Sequence, residues 1–359
     1  LIVSIVHDRI MHQQQPIVIL GVPASPYTRK MLAYLRYRTI PYSYISGDTK
    51  SYLTKNELEI PKPPLLPVVI MQDKPGERKV VCDSSPIIRS LEQSFQTRET
   101  IPQNKVLALL NSLLEDYGDE WITKYMFHYR WHHTPDIKNA ASLLPFYSNM
   151  LGSDKEIKAT GELFSKIQIE RLWVVGSSDN TANIIKESFE RFITILSNML
   201  AKHRFLLGSR PSSADFAFFG QLTQLTQFDP TSRSFVEEKH PRVRAWVDLM
   251  EDLSGYEIEQ QEWLSIEDSK VHLQDFLSEI GKTYVPTMLA NEEAILDKKD
   301  SWDTKVLGKT WMQKSFPYQK KCLQWLRDEF NALSKAEQDD FLNILNGTNC
   351  EQIFTWRKL

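Results

Sequence analysis

What most constrains this chain is a single change of period. From Pro16 to about Glu92, short β-rich runs alternate with helical stretches; from about Ile101 onward helical spacing recurs and strand-like alternation does not persist. A chain that switches period once folds as a small α/β unit followed by a helical unit. Its 359 residues exceed the size at which one hydrophobic core usually keeps growing, which fits two units and leaves room for a third element.

Within the first unit, Ile17-Val18-Ile19-Leu20 reads as a strand. Ser25 followed by Pro26 reads as an N-cap with proline at the first helical position, opening a helix through Met31 and Leu35. Strands follow at Tyr42 to Ser46, Val68 to Met71 and Lys79 to Cys82, the last two joined by a turn at Lys74-Pro75-Gly76-Glu77, and a helix starts at Asp83-Ser84-Ser85-Pro86. The order is β-α-β, then β-β-α. Beyond it, a helix is expected from Lys105 to about Trp131. Ser212 and Asp215 form a capping box ahead of a buried Phe216-Ala217-Phe218-Phe219 run. Further helices are expected around Val271 to Ile280 and from Tyr318 to Leu333, and Ser334 with Glu337 caps a last one. The expected division is a loose leader over 1–15, an α/β domain over 16–95, an all-helical domain over 101–265 and a helical extension over 266–359.

Charge and cysteine usage exclude several classes of function. A net charge of −3 with no long Lys/Arg run gives no field for a phosphate backbone, so nucleic acid is not an expected partner. Cys82, Cys322 and Cys350 are too far apart for a CxxC pair or zinc-ligand spacing, and fit a reducing cytoplasm. The opening LIVSIV is apolar for six residues before His7, Asp8 and Arg9, shorter than a signal-peptide core or a membrane span, and Met11 stands as an alternative start.

Three features carry chemistry. Ser25 places a hydroxyl at the positive end of the first helix, where a docked small-molecule thiol could be held as thiolate; the alternative is an N-cap and nothing more. Leu66-Pro67, at the start of a strand, could present the main chain of Leu66 to a peptide-like ligand if the peptide bond is cis. Asp83-Ser84, at the next helix start, offers a carboxylate and exposed amides to a ligand's ammonium and carboxylate ends. In this order they describe a site for a short charged peptide bearing a thiol.

From Pro16 to Trp263 the sequence resembles the cytosolic glutathione transferases. Ser25-Pro26-Tyr27 is similar to the Ser-Pro-Phe element of the serine-type classes, Leu66-Pro67 to the family's Val-cis-Pro, and Asp83-Ser84 to its Glu-Ser pair; Gly208, Ser212, Ala214 and Asp215 match its capping motif. The resemblance implies a thioredoxin-like N-terminal domain with an all-α C-terminal domain, glutathione as co-substrate and a homodimer. It implies Ser25 as the catalytic hydroxyl, with Tyr27, Leu66, Pro67, Asp83 and Ser84 around the tripeptide, and the reaction subtype (conjugation, isomerisation or ether cleavage) open. The chain departs from the family at Pro61-Lys62-Pro63-Pro64-Leu65, which replaces the usual loop before the cis-proline, and in the long extension.

Tyr117, Trp121, Tyr125 and Tyr129 recur every four residues; the resemblance makes the first three the wall of a pocket for a hydrophobic electrophile, while the stripe alone also reads as helix–helix core. His128, His132 and His133 lack an accompanying carboxylate motif, and no metal is expected. Gly281-Lys282-Thr283 and Gly308-Lys309-Thr310 resemble the end of a P-loop but lack its first glycine, so nucleotide binding is discounted. Cys322 and Cys350 read as small core residues. The rival expectation is a non-catalytic binding or assembly module, with Trp302, Trp311, Trp325 and Trp356 as a partner surface.

Overall fold

The computed structural model describes residues 16–74, 77–258 and 263–355. The expected leader, the Pro75-Gly76 centre of the hairpin turn and Trp356 lie outside the described residues.

The first unit is a four-stranded mixed sheet: β1 (Ile17–Gly21), β2 (Tyr42–Ser46), β3 (Val68–Lys74) and β4 (Glu77–Cys82), in the order β2-β1-β3-β4. β1 runs parallel to β2 and antiparallel to β3, and β3 pairs antiparallel with β4. The crossover α1 (Pro26–Tyr37) and α3 (Ser84–Ser94) cover one face, where Met31, Leu35 and Ile88 meet Ile19 and Val69. The other face carries Leu20, Val68 and Ile70 under Leu53 of α2 (Thr49–Lys55), a short helix the sequence pattern left unassigned. Its signal is local, because the Asp48 side chain accepts the amide of Ser51 as N-cap.

The helical unit is built on a rod in which α4 (Lys105–Tyr117) passes through a π turn (Gly118–Ile122) into α5 (Thr123–His132). α6 (Thr134–Ser148) and α7 (Asp154–Ile169) form a hairpin that packs on α5. α8 (Ala182–Met199), α9 (Ser213–Thr223), α10 (Pro230–Lys239) and α11 (Pro241–Met250) complete it. The expected capping box at Ser212 and Asp215 is present, and all residues of α9 are buried. One apolar cluster runs unbroken from α1 through α4 to α8 and α9.

After Ser265 comes a 31-residue helix, α12 (Ile266–Leu296), whose Phe276, Ile280 and Tyr284 join that same cluster. Between it and α13 (Pro317–Asn331), α14 (Lys335–Leu345) and α15 (Gln352–Thr355) stands a hairpin of β5 (Ser301–Val306) and β6 (Lys309–Lys314). The expectation of helices alone beyond Ile101 is therefore corrected at 301–314. Trp302 and Val306 alternate with exposed residues along β5, Trp311 and Gln313 do so along β6, and Leu307-Gly308, both at positive φ, supply the two-residue turn. Trp302 and Trp311 are buried rather than displayed to a partner. Cys322 and Cys350 lie in the core, as read from the pattern. No helix among the described residues is long and apolar enough to cross a membrane.

Candidate functional site

Three chain turns meet at one end of the sheet. The register pairs Leu20 with Val68 and Val68 with Cys82, so the turn after β1, the residues before β3 and the start of α3 are neighbours on one edge. Both α1 and α3 point their N-termini, with their unpaired amides and positive dipole ends, at that edge.

Ser25 sits in extended conformation as the N-cap of α1, and its Oγ accepts the Thr28 amide at 3.2 Å. The residue is 8% exposed. That hydrogen bond uses one acceptor position and leaves the hydroxyl proton available to donate. The turn is held from the helical side by Arg130, which donates to Ala24 O at 3.0 Å and forks onto Asp229 at 2.9 and 3.1 Å. Burial pushes the Asp229 carboxyl up to about 6 although Arg130 opposes it. The Gln224 amide fixes the same turn by donating to Pro23 O at 3.2 Å.

Tyr27 points away from the edge, and its hydroxyl donates to the Asp119 carbonyl at 2.8 Å, tying α1 to the π turn. The Leu66–Pro67 peptide is cis, as is Lys62–Pro63. Both ladders of β3 begin at Val68, so the Leu66 main chain stands outside them, beside the β1–α1 turn. Ser84 is the buried first residue of α3. Asp83 precedes it at φ 84°, makes no capping bond with its side chain, and accepts the Tyr318 hydroxyl of α13 at 2.7 Å. Burial, with Cys322 and Asp83 nearby, raises the Tyr318 phenol, so it stays a donor. Tyr318 is 235 residues from Asp83, and nothing in the sequence links the two.

Beneath the edge lies a buried polar network that the sequence did not reveal. Lys30 Nζ donates to Glu115 Oε1 at 2.8 Å, Asp119 Oδ2 at 2.7 Å and Ser85 Oγ at 3.1 Å. Burial alone would lower the Lys30 ammonium, but Asp119 and Glu115 outweigh it and hold the pKa above its usual value. The four-residue spacing of Glu115 and Asp119 was the hint the sequence offered.

Tyr117, Trp121 and Tyr125, expected as a pocket wall, are fully buried. Trp121 Nε1 donates to Tyr125 Oη at 2.7 Å, and the rings pack on Phe192, Phe218, Phe276 and Trp311. α12 and the β5–β6 hairpin supply Phe276, Tyr284 and Trp311 to this packing, so the C-terminal segment fills the stripe as core. His128 donates to or accepts from Ser177 Oγ at 2.7 Å and stacks on His132, and burial depresses it to about 3.

The family model of the glutathione S-transferase N-terminal domain matches residues 19–99, and that of the C-terminal domain matches residues 168–249. No curated protein matches the chain. Among solved structures, the chain is similar to a glutathione transferase family member from Pseudomonas fluorescens with two glutathione molecules bound (14% identity, 65% of this chain and 87% of that one, TM-score 0.39). It is likewise similar to a Tau class glutathione S-transferase from mango (18% identity, 66% and 88%, TM-score 0.38) and to FzlA from C. crescentus (14%, 65% and 92%, TM-score 0.40). The two domain models match in order, one over the sheet unit and one within the helical unit, so the chain is similar to the glutathione transferases in both.

Proposed function

We propose that this protein binds glutathione along the Ser25–Leu66–Asp83 edge and holds its sulfur as thiolate for attack on a hydrophobic electrophile. The observation that carries the reading is the convergence of two helix N-termini and an unladdered strand edge on one end of the sheet. The tripeptide's main chain adds to Leu66, its γ-glutamyl end meets the start of α3 at Asp83 and Ser84, and its sulfur lies at the mouth of α1. There the Ser25 hydroxyl donates to the thiolate while still accepting Thr28 N–H. The thiol proton leaves to solvent and the sulfur lone pair forms the new bond to carbon, displacing a leaving group or opening a strained or conjugated centre. The gain comes from a larger thiolate fraction and from orientation. Such a reaction suits a reducing compartment, consistent with three free cysteines.

Turnover of a panel of activated aryl halides, epoxides and enones with glutathione tests this. Ser25→Ala is expected to lower kcat/KM by at least about tenfold with glutathione affinity nearly unchanged, as for loss of one hydrogen bond to a charge, and Ser25→Thr to restore part of it. No turnover with any member of the panel, or full activity in Ser25→Ala, rejects the reading.

A second reading, a non-catalytic binding or assembly module, is favoured by one observation. The Asp83 carboxylate is already engaged by Tyr318, and the aromatic stripe is filled. Failure of the protein to be retained on immobilised glutathione, together with absent turnover, would select it.

A further inference from the structure

A cavity of about 520 Å³ lies between α3, the rod of α4 and the π turn, and α13. Exposed Ser90 and Gln93 of α3 face exposed Asp328 of α13 at its rim, while half-buried Asp116 and buried Asp119 and Glu120 line it. The π turn places Asp119 and Glu120 on the same side as Glu115 and Asp116 of the preceding helical turn.

With Asp116 and Glu120 both ionised, the charges in this cavity would not balance. Arg89 on its wall and Lys30 behind Asp119 are both answered: Lys30 by Glu115 and Asp119, Arg89 by Glu115 at 2.8 Å. Asp116 and Glu120 have only neutral hydrogen-bond partners among the described residues. Asp116 takes the Tyr284 hydroxyl and the Cys322 thiol, and Glu120 takes the Gln319 amide at 3.0 Å. Lys124, whose charge partly offsets the rise at Glu120, makes its hydrogen bond to Gln313 at 3.3 Å and not to Glu120. Glu329, also on the wall, bonds to the Ser112 hydroxyl. Independently, Asp119 Oδ1 is buried with no hydrogen-bond partner, although its Oδ2 is fully used. Buried carboxylates without a counter-charge are costly, and a cation brought to them would remove that cost.

We propose that this cavity is a binding site for a small organic cation, an alkylammonium of the polyamine class, whose ammonium pairs with Asp116, Asp119 and Glu120 and whose chain lies against Trp325 and Leu326. The volume falls in the range of small-molecule sites and is enclosed by protein on three sides, which suits a free small molecule rather than a peptide side chain from a partner. Burial raises Asp116 to about 7 and Glu120 to about 8, as expected of carboxyls lacking a cation. The apolar wall of Trp325 and Leu326 gives the methylene chain of the ligand somewhere dry to lie. This site lies beneath the thiol edge, next to Ser84 and joined to Asp83 through Tyr318, but its carboxylates require no glutathione.

The test is calorimetric titration of the full chain, without glutathione, with spermidine, butylammonium and butyrate at neutral pH and low ionic strength, where charge pairing is least screened. Spermidine and butylammonium are expected to bind and butyrate not to. Glu120→Gln and Asp116→Asn, near-isosteric and checked for folding by thermal unfolding, are each expected to weaken both cations by about tenfold, the scale of one lost hydrogen bond to a charge. Absence of cation binding to the wild type overturns the proposal, as does unchanged affinity in either folded variant, which would mean that spermidine binds the acidic surface instead. Because glutathione is absent throughout, a negative result here leaves the thiol reading untouched, and the reverse also holds.

Discussion

Glu120 is a carboxyl whose ionised form this fold holds poorly. Burial and the neighbouring Asp116 raise its pKa to about 8, from an ordinary value of 4.5, with only the Gln319 amide as a hydrogen-bond partner. The sign follows directly. Between pH 4.5 and 8 the folded state keeps a proton that the unfolded state has lost, so this residue lowers stability progressively as pH rises through that window, and the loss levels off above it. Glu120→Gln keeps a partner for Gln319 and removes the titration. The variant is expected to match the wild type near pH 5 and to exceed it near pH 9 by on the order of 1–3 kcal/mol, the range found when buried charges are replaced by neutral groups. Urea unfolding at the two pH values measures this, and a gap that does not change with pH refutes it. Asp215 follows the same rule in milder form: burial takes it to about 6, while the amides of Ser212 and Leu206 and the Ser212 hydroxyl all support its charged form.

At the scale of elements, the junction of α1 with α9 decides where Ser25 stands. These two helices make the most extensive helix pair in the molecule, and Gly220 of α9 faces the Pro26 carbonyl in the first turn of α1. A methyl group added there would collide with that backbone oxygen, which is not the movable end of a side chain. Gly220→Ala is expected to cost about 1–3 kcal/mol, as overpacking does, and to shift the α1 N-terminus. If the thiol site is at Ser25, glutathione affinity falls in the same variant. A control at the exposed Ala159 of α7, Ala159→Ser, should change neither quantity. Unaltered stability in Gly220→Ala would show that α1 and α9 separate freely, contrary to the geometry. The β5–β6 hairpin is fixed in a comparable way, since Trp311 lies against Gly176 on one side and Trp121 on the other.

Across the whole molecule, the segment after Ser265 is part of the core and not an appendage. Phe276 and Tyr284 of α12 pack directly on Tyr117, Arg191 of α8 pairs with Glu279 at 2.9 Å, and Tyr318 reaches Asp83 on the sheet unit. Removing residues 266–359 would expose Tyr117, Phe192 and Phe218 to water, a loss on the scale of several buried aromatic side chains. The shortened chain is expected to be insoluble or to lose its cooperative thermal transition; a shortened chain with a sharp transition near that of the full protein counts against this account. The sequence by itself determined the sheet unit, because strand alternation, Ser25-Pro26, Leu66-Pro67 and Asp83-Ser84 are local signals that the backbone reads within a few residues. It also determined the Ser212–Asp215 cap and the burial of Cys322 and Cys350. Only the tertiary structure decided that Tyr117, Trp121 and Tyr125 are core, that Tyr318 meets Asp83, and that Asp116, Asp119 and Glu120 share one cavity. An amphipathic stripe records that a helix face is covered but not by what, and here the covering rings come from residues 64 to 190 positions away, Phe189 and Phe192 at the near end and Trp311 at the far end.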